Sequence, residues 1–276
     1  MKTCFVTTFD ADYYEYSMVP VKTLGQNYSG TEPLDVICLV TPELLSKEDE
    51  YVKAINQENL KISFRCSDKW LETYGDMSSS PMPGLKEWSD LHPYISVSAN
   101  HRVFLGSVCS EFDKAIYFDA DTMFFRSPQP MIDYPVINGI VALQEFSDLA
   151  KLLYGTMDIP YFNNGVFITD LNWWRENRVE EKLLDWQKTN GITHCPEQDA
   201  MNAVLHKFWQ PAPVSFNTFN FLIDTNADFK FKNRSPIIVH FVGPSKPWVS
   251  GQNGSYCIEW RLAYRSITGK DMATIL

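Results

Sequence analysis

Residues 114–126 read Lys-Ala-Ile-Tyr-Phe-Asp-Ala-Asp-Thr-Met-Phe-Phe-Arg, in which a pair of aspartates separates two apolar runs. The first run predicts a buried strand that ends at Asp119 and Asp121. Moving a carboxylate out of water is costly unless its charge is offset. Carboxylates at positions i and i+2 of an extended chain point to the same side, so both can reach one cation. We therefore interpret the pair as ligands of a divalent metal ion.

The alternative is that the two aspartates form a solvated turn after the strand. An Asp-x-Asp triplet alone is weak evidence, because at average charged-residue usage roughly one is expected by chance in a chain of this length. A second triplet, Asp10-Ala-Asp12, is in fact present. The metal hypothesis depends on the context of the triplet, which directly follows one apolar run and precedes another.

The composition restricts the class of protein. The chain has 276 residues, of which 45% are hydrophobic and 14% are aromatic, and this excludes a disordered or fibrous protein. Its formal net charge of -10 argues against a nucleic-acid-binding protein, which needs a basic face, and against general attraction to anionic lipids. An acidic protein that binds a phosphorylated ligand needs a cation or a few well-placed basic residues.

The cysteines and the N-terminal residues predict a cytoplasmic location. None of the six cysteines forms a Cys-x-x-Cys pair, which argues against a zinc ribbon. Cys4 and Cys38 lie in strand-like apolar runs and are predicted to be buried thiols, so we expect a reducing compartment. The sequence runs from Met1 into the first predicted strand without a signal peptide, and no apolar run has the length of a membrane span.

Strands and helices alternate in the first part of the chain. Strands are predicted at residues 4–8, 36–40 and 61–65. A helix is predicted to end near Gly25, and a second to occupy residues 41–57, with Thr41 as its N-cap and a proline at its first position. This alternation predicts βαβ units in an α/β fold with a mainly parallel sheet.

The rest of the chain is predicted to complete one domain. Residues 75–93 are rich in glycine, proline and serine, so we predict a loop there, either a mobile lid or a plain connection. The remaining elements are helices at residues 98–109, 172–188 and 197–207, strands at residues 137–143 and 236–241, and a turn followed by a strand from Phe162.

A late apolar strand carries a histidine and is followed by a candidate phosphate loop. His240 lies in this strand, where a histidine is usually a core residue with satisfied hydrogen bonds. Gly243 permits close approach of the backbone, and Lys246 supplies a cation, so the loop could hold a phosphate. Asp119, Asp121 and His240 would form a mixed oxygen and nitrogen ligand set. Mn²⁺ accepts such a set readily, whereas Mg²⁺ and Ca²⁺ favour oxygen ligands. Three protein ligands leave room for the oxygens of a diphosphate.

Two further polar segments have both a structural and a functional interpretation. Glu197 and Asp199 lie in the first turn of a predicted helix, where the helix dipole favours acids. Asn163-Asn164-Gly165 is typical of a turn, although its amides could also bind a ligand that is rich in hydroxyl groups.

Four motifs, in this order, resemble glycosyltransferase family 8, the family of the glycogenins, plant galactinol synthases and bacterial lipopolysaccharide α-galactosyltransferases. They are Phe118-Asp-Ala-Asp-Thr, Phe162-Asn-Asn-Gly-Val-Phe-Ile, Glu197-Gln-Asp-Ala-Met-Asn and His240-Phe-Val-Gly-Pro-Ser-Lys-Pro-Trp. The resemblance implies a single domain of the GT-A fold, in which a Rossmann-like nucleotide-binding half (residues 1–125) is merged with an acceptor-side half (residues 126–276). It also implies transfer of a hexose from a UDP-sugar to a glycan or another hydroxyl acceptor, with retention at the anomeric carbon.

The resemblance also assigns roles to individual residues, and it implies Mn²⁺ as the cofactor with Mg²⁺ as the alternative. The metal ligands would be Asp119, Asp121 and His240. The donor would be bound by Gly243 and Lys246 at the diphosphate, by Thr8, Asp10 and Asp12 at the uridine, and by Asn163, Gln198 and Asp199 around the sugar, with Arg102 as a further basic residue of the donor site. Glu197 stands where many members have aspartate, which changes the reach of its carboxylate toward the sugar. The implied partners are a nucleotide-sugar and a hydroxyl acceptor, and a homodimer is a further hypothesis.

Retention is compatible with two mechanisms. A covalent intermediate would need Asp199 or Gln198 as the nucleophile, and an amide is a poor one. We favour attack from the face at which the leaving group departs, with Gln198 polarising the cation-like anomeric centre. Two rival functions are a sugar nucleotidyltransferase, whose usual glycine-rich phosphate loop is missing near Thr8, and a non-catalytic nucleotide-sugar binder, which the intact set of metal and phosphate residues disfavours.

Overall fold

A computed structural model of the chain describes residues 1–75, 96–145, 147–225 and 235–272, together with residues 82, 84, 85, 87 and 90. Ten β-strands lie in these ranges: β1 Thr3–Phe9, β2 Leu34–Val40, β3 Leu60–Arg65, β4 Lys114–Phe118, β5 Thr122–Phe124, β6 Ile140–Gln144, β7 Phe162–Asp170, β8 Trp209–Pro211, β9 Thr218–Phe219 and β10 Ile238–His240.

The α-helices of the same ranges are α1 Met18–Asn27, α2 Glu48–Ile55, α3 Asp68–Trp70, α4 Leu105–Val108, α5 Gln129–Ile132, α6 Ser147–Tyr154, α7 Leu171–Glu176, α8 Val179–Asn190, α9 Pro196–Leu205, α10 Asn220–Thr225 and α11 Cys257–Thr268. Pro42–Lys47, Val97–Phe104 and Val214–Phe216 form 3₁₀ turns, and Leu71–Gly75 forms a π-helical turn. Over the residues that the structure describes, no helix has both the length and the apolar character needed to span a bilayer.

Seven strands form the main sheet in the order β3-β2-β1-β4-β7-β6-β8. Only β7 runs antiparallel to its described neighbours, β4 and β6, and the other pairs are parallel. The α/β fold with a mainly parallel sheet is therefore confirmed. Parallel strands end at the same edge of a sheet, so the residues that follow β1 and β4 lie close together, and β7 begins at this edge.

A second sheet, in the order β5-β10-β9, brings the late histidine to the aspartates. The Asp-x-Asp triplet is the crossing from the main sheet to this one, and Thr122 Oγ1 closes the crossing by donating to the carbonyl oxygen of Asp119 at 2.7 Å. Strand β10 pairs with β5 so that His240 lies opposite Thr122, and with β9 so that it lies opposite Phe219. The strand predicted at residues 236–241 is thus confirmed in its central part.

Two hydrophobic clusters cover the two faces of the main sheet. Alternate residues of β1 point into each of them, Cys4 and Val6 into one and Phe5 and Phe9 into the other. Cys4 and Cys38 are fully buried free thiols, as predicted. Because both faces are covered, the central strands carry continuous apolar runs, which explains why the sequence revealed them.

Only part of the helix predicted at residues 41–57 is an α-helix. It begins at Pro42 as expected, but residues Pro42–Lys47 form a 3₁₀ turn and the α-helix starts at Glu48. Thr41 takes the N-cap position without capping, because its hydroxyl donates to Glu43 Oε1 at 2.5 Å instead of accepting from a backbone N–H.

Two further predicted helices were wrong in detail. Residues 98–109 form a 3₁₀ turn as far as Phe104, within which Arg102 Nε donates to the carbonyl oxygen of Ala99. Residues 172–188 form two helices, α7 and α8, because Arg178 between them adopts a left-handed conformation with φ of 52°. The amphipathic pattern continues across Arg178, so the sequence did not indicate that the helix is interrupted there.

The turn predicted at residues 163–165 is also wrong, since these residues lie within β7. An irregularity in the pairing with β6, between Ala142 and Leu143, accommodates them. The loop predicted at residues 75–93 lies mostly outside the described residues.

Candidate active site

A cavity of about 250 Å³ opens at the edge of the main sheet where β1 and β4 end and β7 begins. Most residues that the sequence indicated line it: Thr8, Arg102, Asp119, Asp121, Asn163, Glu197, Gln198, His240, Gly243 and Lys246. Asp10, Asp12 and Asp199 do not line this cavity. Segments that are far apart in the chain therefore supply one site.

Asp119, Asp121 and His240 form a compact group in this cavity. One potential ligand atom from each lies within 4.8 Å of the others, and no other such group of three or more is found in the described part of the chain. His240 Nε2 lies 3.2 Å from Asp121 Oδ1 and 3.8 Å from Asp119 Oδ2. The pairing of β10 with β5 accounts for this proximity.

The donor atoms of the group fit a divalent cation. Asp121 is 8% exposed, and its Oδ1, which lies 3.2 Å from His240 Nε2, makes no hydrogen bond. A buried carboxylate oxygen without a partner is costly, and a bound cation would remove that cost. Two carboxylates and one imidazole are a ligand set that Mn²⁺ accepts.

Lys246 lies beside the same carboxylate. Its ammonium forms an ion pair with Asp121 Oδ2 and donates to the carbonyl oxygen of Phe241 at 2.8 Å, and the side chain is buried. Burial raises the pKa of the Asp121 carboxyl, but Lys246 and His240 outweigh this effect and hold that pKa below its ordinary value. Asp121 is therefore ionised at neutral pH and available to a cation.

The loop that carries Lys246 turns at Gly243 and is anchored at Trp248. Gly243 lines the cavity with φ of 74°, a conformation that side chains disfavour, which explains the glycine. Trp248 stacks on Tyr16 with ring centroids 4.2 Å apart. The stacking anchors the loop to the segment that follows β1.

Arg102 holds the other aspartate in place. Its Nη2 donates to Asp119 Oδ1 at 2.8 Å, its Nη1 donates to the carbonyl oxygen of Asn164 at 2.9 Å, and its guanidinium lies over the Tyr117 ring. The hydroxyl of Tyr117 also donates to Asp119 Oδ1, at 2.8 Å. These donors occupy Oδ1, so that Oδ2 is the oxygen that faces His240.

Gly165 is required by close approach and not by its backbone conformation. A Cβ at this position would lie 2.2 Å from His240 Cε1 and 2.7 Å from Asp119 Oδ2. The strand β7 therefore passes so close to the metal group that only a hydrogen fits between them.

We expect Gly165→Ala to displace His240 and to weaken the metal site. Inserting a methyl group into a packed site costs about 1–3 kcal/mol, so the melting temperature should fall together with the affinity for Mn²⁺. Thermal unfolding and a Mn²⁺ titration of the purified variant would measure both. An unchanged Mn²⁺ affinity would contradict the placement of this glycine against the metal ligands.

The opposite side of the cavity carries amides and acids. Gln198 Oε1 accepts from the backbone N–H of Asn164 at 3.1 Å and from Asn163 Nδ2 at 3.3 Å. Asn163 Nδ2 also donates to Glu145 Oε2 at 2.8 Å. Glu197 lines the cavity, and burial raises the pKa of its carboxyl although Arg102 opposes this effect. The amides can donate hydrogen bonds to the hydroxyl groups of a ligand, and the amide and carboxylate oxygens can accept hydrogen bonds from them.

Asp199 lies outside the cavity lining, and both of its carboxylate oxygens accept hydrogen bonds. Its Oδ1 accepts from the hydroxyl of Tyr161 at 2.6 Å, and its Oδ2 accepts from the backbone N–H of Cys195 at 3.0 Å. Tyr161 in turn accepts from Gln198 Nε2 at 3.2 Å. Asp199 therefore contacts the cavity through Gln198 and Tyr161, and it also closes the start of α9.

Asp10 and Asp12 lie near the rim. Asp10 Oδ1 accepts from the backbone N–H groups of Asp12 and Tyr13, at 3.1 Å and 3.2 Å, and its Oδ2 accepts from Ser96 Oγ. Asp12 is exposed. Tyr13 and Ser96, which line the cavity, are thus positioned by Asp10.

Sequence reasoning missed several residues of the site, among them Tyr13, Glu145 and Asn217. Glu145 could have been found, because it directly follows the apolar residues of β6 as the aspartates follow β4. Tyr13 follows the second Asp-x-Asp triplet, but nothing in the sequence shows that its ring faces a cavity. Asn217 contacts His240 across 23 positions of the chain, a distance at which no local pattern operates.

Comparison with known proteins identifies the family of the chain. The family model for glycosyl transferase family 8 matches residues 4–251. A Haemophilus influenzae protein whose name places it among the glycosyltransferases is 30% identical over 169 residues, which are 56% of this chain and 50% of that protein. Lipopolysaccharide 1,2-glucosyltransferase of Escherichia coli K12 is 25% identical over 150 residues, 49% of this chain and 44% of that enzyme. The chain thus spans about half the length of these curated relatives.

Among solved structures, the galactosyltransferase LgtC in complex with donor and acceptor sugar analogues has a similar fold. The TM-score is 0.70 with 18% sequence identity, and 96% of each chain is covered. At this identity the likeness concerns the fold alone, which is of the GT-A type.

Proposed function

This chain belongs to glycosyltransferase family 8, and we propose that it transfers a hexose from a UDP-sugar to a hydroxyl acceptor, with Mn²⁺ as cofactor and with retention at the anomeric carbon. The observation that carries the proposal is the environment of Asp121. One of its oxygens faces His240 Nε2 without a hydrogen bond, and the other pairs with the buried ammonium of Lys246. A cation site and a phosphate-binding charge are thus adjacent in one cavity.

The cation and the basic residues would act on the leaving group. Asp119, Asp121 and His240 would hold the ion, which supplies electrostatic stabilisation of the UDP that is released; Mg²⁺ is the alternative ion. Lys246 and the backbone at Gly243 would bind the diphosphate. Asp121, His240 and Lys246 are buried, and burial strengthens their interaction with developing charge.

The amide side of the cavity would bind the transferred sugar. We assign Asn163, Glu197 and Gln198 to its hydroxyl groups, and add Glu145, whose carboxylate lines the same wall. Gln198 is fixed through both ends of its amide, which suits a group that stabilises charge at the anomeric carbon. We keep same-face attack as the mechanism, because Asp199 is bound by Tyr161 and does not line the cavity.

The uridine would lie at the rim formed by Thr8, Tyr13 and Ser96. The Tyr13 ring offers a surface on which a base can stack, and Asp10 positions both Tyr13 and Ser96. The assignment of Asp12 to the uridine remains a prediction from the sequence. The cytoplasmic location, the homodimer and the two halves of the domain also remain predictions from the sequence.

We expect UDP with Mn²⁺ to raise the melting temperature by roughly 5 °C at a hundredfold excess over the dissociation constant, because the ligand binds only the folded state. GDP and ADP should give much smaller shifts if the rim that Tyr13 and Ser96 line is specific for uridine. Differential scanning fluorimetry of the three nucleotides at equal concentration would test this. Equal shifts would remove the uridine assignment.

The function itself is tested by incubating the protein with a panel of UDP-hexoses and Mn²⁺ and identifying the released product. We expect UDP from one or a few donors, slowly with water alone and faster with a sugar acceptor. Release of pyrophosphate from a sugar phosphate and UTP would indicate a nucleotidyltransferase instead. Failure of every donor to react, despite binding of UDP, would indicate a non-catalytic binder.

A further inference from the structure

Asn217 lies directly behind the metal group and belongs to none of the motifs. It is fully buried between the Val214–Phe216 turn and β9. Its Oδ1 lies 3.0 Å from His240 Nδ1, and its Nδ2 donates to Asn163 Oδ1 at 2.9 Å. Asn217 therefore connects His240, on one side of the cavity, to Asn163, one of the amide side chains on the other side.

The hydrogen-bond network determines which end of the Asn217 amide faces the histidine. The backbone N–H of Gly165 can only donate, and it points at Asn163 at 3.0 Å, so the Asn163 atom there must be the oxygen. That oxygen cannot donate to Asn217, so the Asn217 atom that faces it must be the amide nitrogen. The remaining Asn217 atom, its oxygen, then faces His240.

An amide oxygen can only accept, so the facing nitrogen of His240 must carry a hydrogen. In the neutral ring this places the hydrogen on Nδ1 and leaves the lone pair on Nε2. Nε2 is the atom that lies 3.2 Å from Asp121 Oδ1. The other tautomer would set two lone pairs against each other at Asn217 and would direct an N–H at the site of the cation.

We propose that Asn217 is a positioning residue that fixes the tautomer and the ring orientation of His240 for metal binding. The role of the metal rests on the proposed function, whereas the tautomer rests on the hydrogen bonds alone. Because Asn217 also donates to Asn163, it fixes the position of His240 relative to the amides on the opposite side of the cavity. Partners of this kind typically change metal affinity about tenfold to hundredfold when they are removed.

The first test is ¹⁵N NMR of the histidine rings in metal-free protein, with the His240 signals assigned by their loss in His240→Ala. We expect Nδ1 of the wild-type ring to carry a hydrogen, whether or not Nε2 between the two carboxylates is also protonated. A ring with a hydrogen on Nε2 and none on Nδ1 would overturn the inference. This measurement needs neither metal nor nucleotide, so it holds even if the wild-type protein binds no Mn²⁺ with UDP, a result that would overturn the proposed function instead.

The second test is the affinity for Mn²⁺ in the presence of UDP, followed by electron paramagnetic resonance of the unbound ion. Asn217→Leu keeps the branching of the side chain but cannot accept a hydrogen bond, and we expect a loss of about tenfold to hundredfold. Asn217→Asp keeps an oxygen that accepts from His240 Nδ1 but loses the donor to Asn163 Oδ1, so its Mn²⁺ affinity should lie between those of Asn217→Leu and the wild type.

The matched control is Asn100→Leu, which removes an equally buried asparagine that bonds to Gln187 and does not line the cavity. We expect it to lower the melting temperature without changing the Mn²⁺ affinity. Wild-type Mn²⁺ affinity in Asn217→Leu, or an equal loss in Asn217→Leu and Asn100→Leu, would contradict the positioning role. If Asn217→Leu does not fold, the wild-type NMR spectrum still decides the tautomer.

Discussion

Asp121→Asn should lower the rate of sugar transfer by a factor of about 10³ or more, because a bound cation supplies several kcal/mol of stabilisation to the leaving group. Asparagine keeps the shape of the side chain and an oxygen that can accept from Lys246. Alanine is the less informative change, since it would also leave the buried Lys246 ammonium without its partner, at about 3–5 kcal/mol. The rate of UDP release at saturating donor and Mn²⁺ measures the effect.

The matched control is Asp49→Asn, which removes an equal charge at an exposed position of α2. It should retain the wild-type rate. The wild-type enzyme in excess EDTA should lose activity to a similar degree as Asp121→Asn. Activity that survives both EDTA and the Asp121 substitution would exclude a catalytic metal at this aspartate.

Lys246→Met should impair the use of the donor without weakening the binding of Mn²⁺ alone. A hydrogen bond to a charged group contributes about 1.5–3 kcal/mol, so kcat/KM for the donor should fall about tenfold to hundredfold. In the structure the ammonium already pairs with Asp121, so it competes with a cation for that carboxylate. Its removal should leave Mn²⁺ affinity in the absence of nucleotide unchanged or higher.

His240→Ala provides the contrast, because it removes a proposed metal ligand and should shift the Mn²⁺ dependence of the rate to higher concentration. High Mn²⁺ should recover part of its activity and none of that lost in Lys246→Met. Lys53→Met, an exposed change on α2, should behave as wild type. Identical Mn²⁺ midpoints for wild type and His240→Ala would remove His240 from the site, and a silent Lys246→Met would remove the lysine from the diphosphate.

The sequence was sufficient for the parts of the fold that are governed by local pattern. Strands β1, β2 and β4 are buried on both faces and therefore appear as short apolar runs. The rule that parallel strands end at one edge then brings Thr8 and Asp119 to the same place. The proximity of His240 was a hypothesis from ligand chemistry that the family resemblance strengthened. No local pattern required it, because it depends on a pairing with Thr122 across more than a hundred residues.

The remaining features depend on contacts that no local pattern records. Arg178 interrupts an amphipathic helix by its backbone conformation alone. Gly165 appears in a turn-like sequence, yet it is required because two side chains from other strands leave no space for a Cβ. Strand β4 pairs with β7, so one sheet runs through both predicted halves of the domain, and the division near residue 125 stays a prediction.

The most direct measurement is a titration of Mn²⁺ into protein saturated with UDP, with the unbound ion followed by electron paramagnetic resonance and a protein-free UDP sample as reference. We expect one Mn²⁺ per chain in the wild type and in Asp49→Asn, and loss of that binding in Asp121→Asn and in His240→Ala. Absence of bound Mn²⁺ in the wild type, or one bound ion in both site variants, would contradict a metal site at Asp119, Asp121 and His240.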